Sequence, residues 1–220
     1  MKKLLLLVFL TCISLSCKQN SESKTDELEI VKKELTVAEK IAQAHGFENW
    51  KNVSEINFNF RGNRHWKWQP KTNNITLMTK TDTINYNRKQ IDSLSIKVDQ
   101  AFINDKFWLL IPFQLVWDKS AFISEPVTEV APISKSELNK ITITYTNEGG
   151  YTPGDAYDIF YDTNYIIKEW VFRRGNQEEP SLTNTFENYQ DFNGIKIALD
   201  HKNNEGTWNL EFTDVSVTLE

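Results

Sequence analysis

Phe107-Trp108-Leu109-Leu110-Ile111-Pro112-Phe113-Gln114-Leu115-Val116-Trp117 is the most apolar stretch beyond the N-terminal leader. Only Gln114 in it is polar, so it has no hydrophilic face of the kind a surface helix or a half-exposed strand presents to water. Pro112 interrupts it, because proline lacks an N–H and its ring clashes with the preceding helical turn. The stretch therefore reads as two short buried pieces with a bend. Its counterpart must be something large and apolar, and the rest of the chain supplies strands.

Outward from this stretch the hydrophobic period is two. Ile56, Phe58 and Phe60 alternate with polar residues, as do Trp66 and Trp68, Ile75 and Leu77, and Ile84 and Tyr86. Polar turns such as Lys71-Thr72-Asn73-Asn74 separate them, the pattern of half-buried antiparallel strands. Alternation returns at Ile141, Ile143 and Tyr145, and again at Ile195, Ile197 and Leu199. It closes with Trp208, Leu210 and Phe212, then Val215, Val217 and Leu219. Tyr157–Tyr161, an Asp162-Thr163-Asn164 turn and Tyr165–Arg173 read as a hairpin. Neighbouring apolar pairs (Ile159 and Phe160, Ile166 and Ile167) place its strands centrally, covered on both faces. Glu148 to Asp155 is a dense turn signal.

Two helices are expected. Thr36 with Glu39 three places on forms a capping box, Val37, Ile41 and Ala44 share a face, and His45-Gly46 ends the helix. Lys89 to Asp105 has a helical face at Ile91, Leu94, Val98, Ala101 and Phe102. Ser120 to Ser136, with Pro126 and Pro132, reads as a long loop with at most one edge strand, a candidate lid. Nine to eleven antiparallel strands with so few helices cannot be covered if flat. The expected fold is α+β and mainly β: an antiparallel sheet curled around the helical segments, one domain over residues 34–220.

The N-terminus carries an address. Met1-Lys2-Lys3 precedes an apolar run from Leu4 to Ile13, too short to span a bilayer, which needs ~20 residues. Ser16-Cys17 follows, similar to a bacterial lipobox, which makes residues 1–16 a signal peptide and Cys17 the acylated residue. Residues 17–33 are polar and charged and read as a flexible tether. Cys12 and Cys17 are the only cysteines, so the mature chain has no disulfide and no thiol metal site. The opening Lys18-Gln19-Asn20 points to a lipid-anchored protein on the outer membrane, facing the periplasm. With 25 basic against 30 acidic residues, net −5, nothing suggests a nucleic-acid partner.

Catalytic signals are weak. The three histidines are scattered, with no i,i+4 metal pair, and no G-x-S-x-G elbow is present. His45 at a helix end suits a cation or donor facing the carboxyl terminus. Asp155, Asp158 and Asp162 lack the order of a calcium loop and read as turn residues. Arg173-Arg174 reads as a solvated strand end rather than a headgroup site. No catalytic residue, cofactor or metal is expected, and a hydrolase built on scattered Asp and His is the remote alternative. The aromatics are the strong signal: seven Trp, seven Tyr and thirteen Phe make 12% of the chain. They either fill a core or line a cavity.

The chain resembles a family of Bacteroidota-type envelope lipoproteins, themselves similar to the outer-membrane lipoprotein carrier (LolA/LolB-like) superfamily. The resemblance rests on Ala44-His45-Gly46 with Trp50, Asn104-Asp105-Lys106-Phe107-Trp108-Leu109-Leu110 with Pro112-Phe113, and Gly149-Gly150-Tyr151-Thr152-Pro153-Gly154-Asp155 with Tyr157. Trp170, and Phe186 with Tyr189 ahead of Gly194-Ile195-Lys196, complete it. It implies a curled antiparallel half-open barrel with helices covering its concave face, holding a lipid or other apolar molecule under a lid formed by Phe107–Trp117 or the Pro126–Pro132 loop. On that reading Phe58, Phe60, Trp66, Trp68, Trp108 and Phe113 form the ligand wall. The alternative is a structural or interaction lipoprotein with a filled core that binds another envelope protein.

Overall fold

Thr36 starts the first helix as its sequence requires. In the computed structural model, which describes residues 34–146 and 153–220, α1 spans Val37–Ala44, and Thr36 and Glu39 close both halves of the capping box. The expectations for residues 1–33, Cys17 among them, and for turn residues 148–152 lie outside the described residues. The buried face of α1 is Ala38, Ile41, Ala42 and His45, one step round from the expected Val37, Ile41 and Ala44. The step follows from His45, which goes inward as a neutral ring. Its Nδ1 lies 2.8 Å from the Ile41 carbonyl, and burial lowers its pKa to about 4. It is a buried donor rather than a cation at a helix end.

Four strands follow as a meander: β1 (Val53–Phe60), β2 (Arg64–Gln69), β3 (Asn74–Met78) and β4 (Thr83–Asn87). After them come α2 (Ile96–Leu109) and α3 (Ile111–Trp117). The helix expected over Lys89–Asp105 begins later and runs on into the apolar stretch. Ile91 and Leu94 precede it and are exposed. The bend in that stretch falls at Leu110 (φ −129°, ψ 35°), and Pro112 sits in the first turn of α3. A proline there has no helical acceptor to lose on its own turn, but α2 cannot continue through it.

The long segment after α3 holds two short edge strands rather than at most one, β5 (Phe122–Ile123) and β6 (Val127–Val130), both paired with β7 (Glu137–Thr144). Next come β8 (Ala156–Tyr161) and β9 (Ile167–Arg173), the expected hairpin. Asp162 Oδ1 accepts from the Asn164 and Ile166 N–H groups in its turn. β10 (Leu182–Thr185), β11 (Glu187–Phe192), β12 (Ile195–Lys202) and β13 (Asn209–Leu219) complete the chain.

The strands form two antiparallel sheets, β11-β12-β13-β1-β2-β3-β4 and β10-β9-β8-β7-β5, with β6 beside β5 on β7. β8 and β9 are interior, as their two-sided apolar pattern requires. The stretch from Leu182 to Phe192 belongs to both sheets, its first half on β9 and its second on β12. Phe186 is the corner: its N–H bonds to the Lys168 carbonyl, and its ring lies between Trp170 and His201. The sheets are not closed into a barrel. The fold is α+β, with a curled antiparallel layer and α2 packed inside it, where Phe102 meets Trp66 and Trp68 of β2.

α2 is pinned to the first sheet by charge as well as by apolar contact. Asp105, fully buried, accepts two bonds from Arg64 (2.6 and 2.7 Å) and one from the Trp66 indole (2.8 Å). Asp99, also fully buried, accepts from Arg88 (2.6 Å) and from the Tyr86 hydroxyl (3.0 Å). The docking of α1 depends on a close approach. Gly46 (φ 89°) meets Gly194, where a Cβ on Gly46 would lie 1.7 Å from the Gly194 carbonyl oxygen.

Candidate functional site

The face of α2 opposite Trp66 and Phe102 turns towards the second sheet, and the two do not close fully. Between them lies a cleft of about 930 Å³. Ile103, Lys106, Phe107 and Trp108 come from α2, Gln114 from α3, and Tyr145, Tyr157, Trp170 and Phe172 from β7–β9 or its immediate flank. Arg88, Asp118, Asp155, the exposed Arg174 and Leu182 lie around the rim. Residues of the two partners alternate in their strands, so Tyr157, Trp170 and Phe172 share the face that looks at α2.

The floor of the cleft is an aromatic stack. Phe107 lies 4.8 Å from Tyr157 and 5.9 Å from Trp170, ring centroid to centroid. Trp108 meets Trp170 edge-on at 4.4 Å, and Tyr157 stacks on Phe172 at 5.0 Å. At the corner behind it, the Trp170 indole N–H, the Asn184 amide and His201 Nε2 are buried with no hydrogen-bond partner among the described residues. The other nitrogen of His201 lies 3.1 Å from the Leu210 carbonyl, and burial lowers the pKa of this ring to about 4. His201 is thus a neutral core residue. His65 stays half-buried on β2.

Lys106 is the charged residue that α2 itself contributes beside this aromatic floor. Lys106, half-buried, reaches the Gln114 side-chain oxygen at 3.3 Å and lies over the Trp117 ring at 5.2 Å. Desolvation and the neighbouring Arg88 lower its pKa to about 8, against the opposing pull of Asp118 and Asp99. Burial pushes the Tyr145 and Tyr157 hydroxyls well above their usual range, so both stay neutral.

Of the six residues expected to form a ligand wall, Trp108 lines this cleft. Phe58, Phe60, Trp66, Trp68 and Phe113 are buried in the continuous core between the first sheet and the helices. Trp66 and Trp68 pack on Phe102 of α2, Phe58 and Phe60 on Phe212, and Phe113 on Phe47, Trp50 and Trp117. The Pro126–Pro132 segment does not cover the cleft. Its Ala131 packs with Phe160 and Val171 on the opposite face of the second sheet. Buried Glu169 holds the adjoining turn there by accepting from the Ile133 and Ser134 N–H groups.

The other residues weighed for chemistry are engaged structurally. Asp155 accepts from the Gly175 N–H, Asp158 pairs with Arg173, and Asp162 holds its turn. Among the described residues no three His, Cys, Asp or Glu side chains come together as metal ligands. Sequence reasoning gave no site role to Lys106 or Phe172. For Lys106 the available signal was its position, a lysine abutting the most apolar run in the chain.

A crystal structure of a LolA superfamily protein from Nitrosomonas europaea is similar to this chain, with 10% sequence identity and a TM-score of 0.44. The match covers 84% of this chain and 94% of that one. No family model and no curated protein matches the chain.

Proposed function

We propose that the protein is a lipid-anchored envelope lipoprotein that holds a lipid or other apolar molecule, without catalysis, in the cleft between α2 and β7–β9. The observation that carries this reading is the cleft itself. Its volume of about 930 Å³ falls in the range of small-molecule sites, and its floor is built from Phe107, Trp108, Tyr157, Trp170 and Phe172. Binding would draw on apolar burial at roughly 25 cal/mol per Å². The leader and Ser16-Cys17 support attachment through an acylated Cys17, on the outer membrane and facing the periplasm.

Native mass spectrometry on detergent-free protein, with lipid extraction alongside, tests the reading. Co-purified or added lipid should appear as a discrete mass. It should be lost in Trp108→Ala, and also in Ile103→Trp, which fills the cleft at a half-buried position. A clean unliganded mass that takes up no added lipid would overturn the reading. Attachment is tested separately: incorporation of radiolabelled palmitate should vanish in Cys17→Ser.

One observation favours a second reading, an interaction lipoprotein. Phe122, Val127 and Val130 lie on the edge strands β5 and β6 and are 69%, 50% and 56% exposed. Apolar edge strands are ready for pairing with another chain. A specific envelope partner captured by wild type and lost with Phe122→Lys, together with an empty cleft, would establish that reading instead.

A further inference from the structure

The cleft holds a cation without a counter-charge. Lys106 has three N–H donors and makes one bond, to the Gln114 amide oxygen at 3.3 Å; its other neighbour is the Trp117 ring face. The carboxylates nearest to it are committed elsewhere. Asp99 is clamped by Arg88 and Tyr86, and Asp118 accepts from Ser120 and Gln114. No carboxylate of the described residues lies within ion-pair distance of the ammonium. An ammonium placed against an aromatic floor loses hydration and recovers it only by meeting an anion.

Resting on the cleft reading above, we infer that the ligand is an anionic amphiphile. Its carboxylate or equivalent head pairs with Lys106, and its apolar body lies on Phe107, Tyr157 and Trp170. A cation beside an aromatic floor selects a negative charge at one end of the ligand and an apolar body at the other. The remaining donors of Lys106 give the head charge-assisted hydrogen bonds, stronger than those to a neutral oxygen. Charged groups around the ammonium are Arg88 beyond β4, Asp99 on its own helix, Asp118 after α3, and Asp155 and Arg174 on the sheet side. Tyr145 and Tyr157 remain neutral across the physiological range. Lys106 is therefore the group around this site that titrates near pH 8.

The test uses the purified full chain carrying Cys17→Ser, titrated with dodecanoate and with dodecanol below their aggregation limits, read by tryptophan fluorescence and calorimetry. At pH 7 dodecanoate should bind about ten-fold or more tightly than dodecanol, the scale of a charged hydrogen bond. Lys106→Met should bring dodecanoate down to the dodecanol level and leave dodecanol unchanged. In wild type the preference should shrink as pH rises from 7.5 to 10, because the ammonium deprotonates while the carboxylate stays ionised. Equal binding of the two ligands, unaffected by Lys106→Met, would overturn the inference and leave the apolar cleft standing. Failure of both to bind to folded protein would overturn the cleft reading itself. If Lys106→Met does not fold, Lys106→Gln and the wild-type pH series decide the same question.

Discussion

At Asp105 a carboxylate with no water around it is held by an arginine fork and an indole N–H. Removing one member of such a set leaves the rest buried and unpaired, which costs about 3–5 kcal/mol. Asp105→Ala should lower the unfolding free energy by that amount, read as a lower urea midpoint at unchanged slope, and Arg64→Met with Asp105→Leu should cost less than Asp105→Ala alone. The two buried histidines make a second prediction. Their folded pKa values of about 4 lie below the ordinary 6.5, so the unfolded chain takes up protons first. Their stabilisation is complete above pH 6.5 and is lost as pH falls from 6.5 towards 4, about 3 kcal/mol for each ring. Unfolding free energies measured by urea at pH 7 and pH 5 should differ accordingly, and equal values would disprove neutral burial. Gly46 adds a backbone case, since a side chain there meets both a left-handed φ and the Gly194 carbonyl. Gly46→Ala should cost at least about 2 kcal/mol in the same assay.

Among the elements, β13 shows how one residue sets a register. Leu210 and Phe212 are buried at even positions, and after Asp214 burial passes to Val217. Asp214 has φ 52°, and the pairing with β1 slips there, from Asn59↔Thr213 to Asn57↔Ser216. This is a β-bulge, and it was written in the sequence as the change of parity between Phe212 and Val215. Deleting Asp214 would remove the bulge and bring Val215 and Val217 into step with Leu210 and Phe212, with Ser216 still opposite Asn57. The deletion should therefore keep a cooperative thermal transition, and Asp214→Gly, which suits that φ, should change stability by less than about 1 kcal/mol. The bend between α2 and α3 was equally legible, because proline chemistry is local. Where α2 began was not legible: Ile91 and Leu94 have the right spacing for the helix but lie outside it, exposed.

For the molecule as a whole, the curled layer followed from arithmetic. Many alternating strands and few helices leave no flat solution, and the two sheets duly meet at the Phe186 corner without closing. The candidate site was much less legible. Trp66, Trp68 and Phe58 carry the same alternation as Trp170 and Phe172, and nothing local separates rings that fill a core from rings that line a cleft. The distinction depends on which face of α2 packs tightly. Asp99 and Asp105 draw α2 against the first sheet, Ile103 and Phe107 look towards the second, and Lys106 lies between the two sides.

What the sequence determined by itself was local: the capping box at Thr36, the bend before Pro112, the hairpin at Asp162, the parity of nearly every strand and the apolar nature of the interior. Each of these follows from neighbouring residues, whose dihedral preferences and periodicity act over a few positions. The tertiary structure alone decided that His45 and His201 are neutral and buried, that Asp99 and Asp105 are clamped, and that the cleft opens between α2 and β7–β9. Those outcomes depend on pairs far apart in the chain, such as Arg64 with Asp105 and Phe107 with Tyr157. Desolvation and charge pairing act through space, so no local pattern records them.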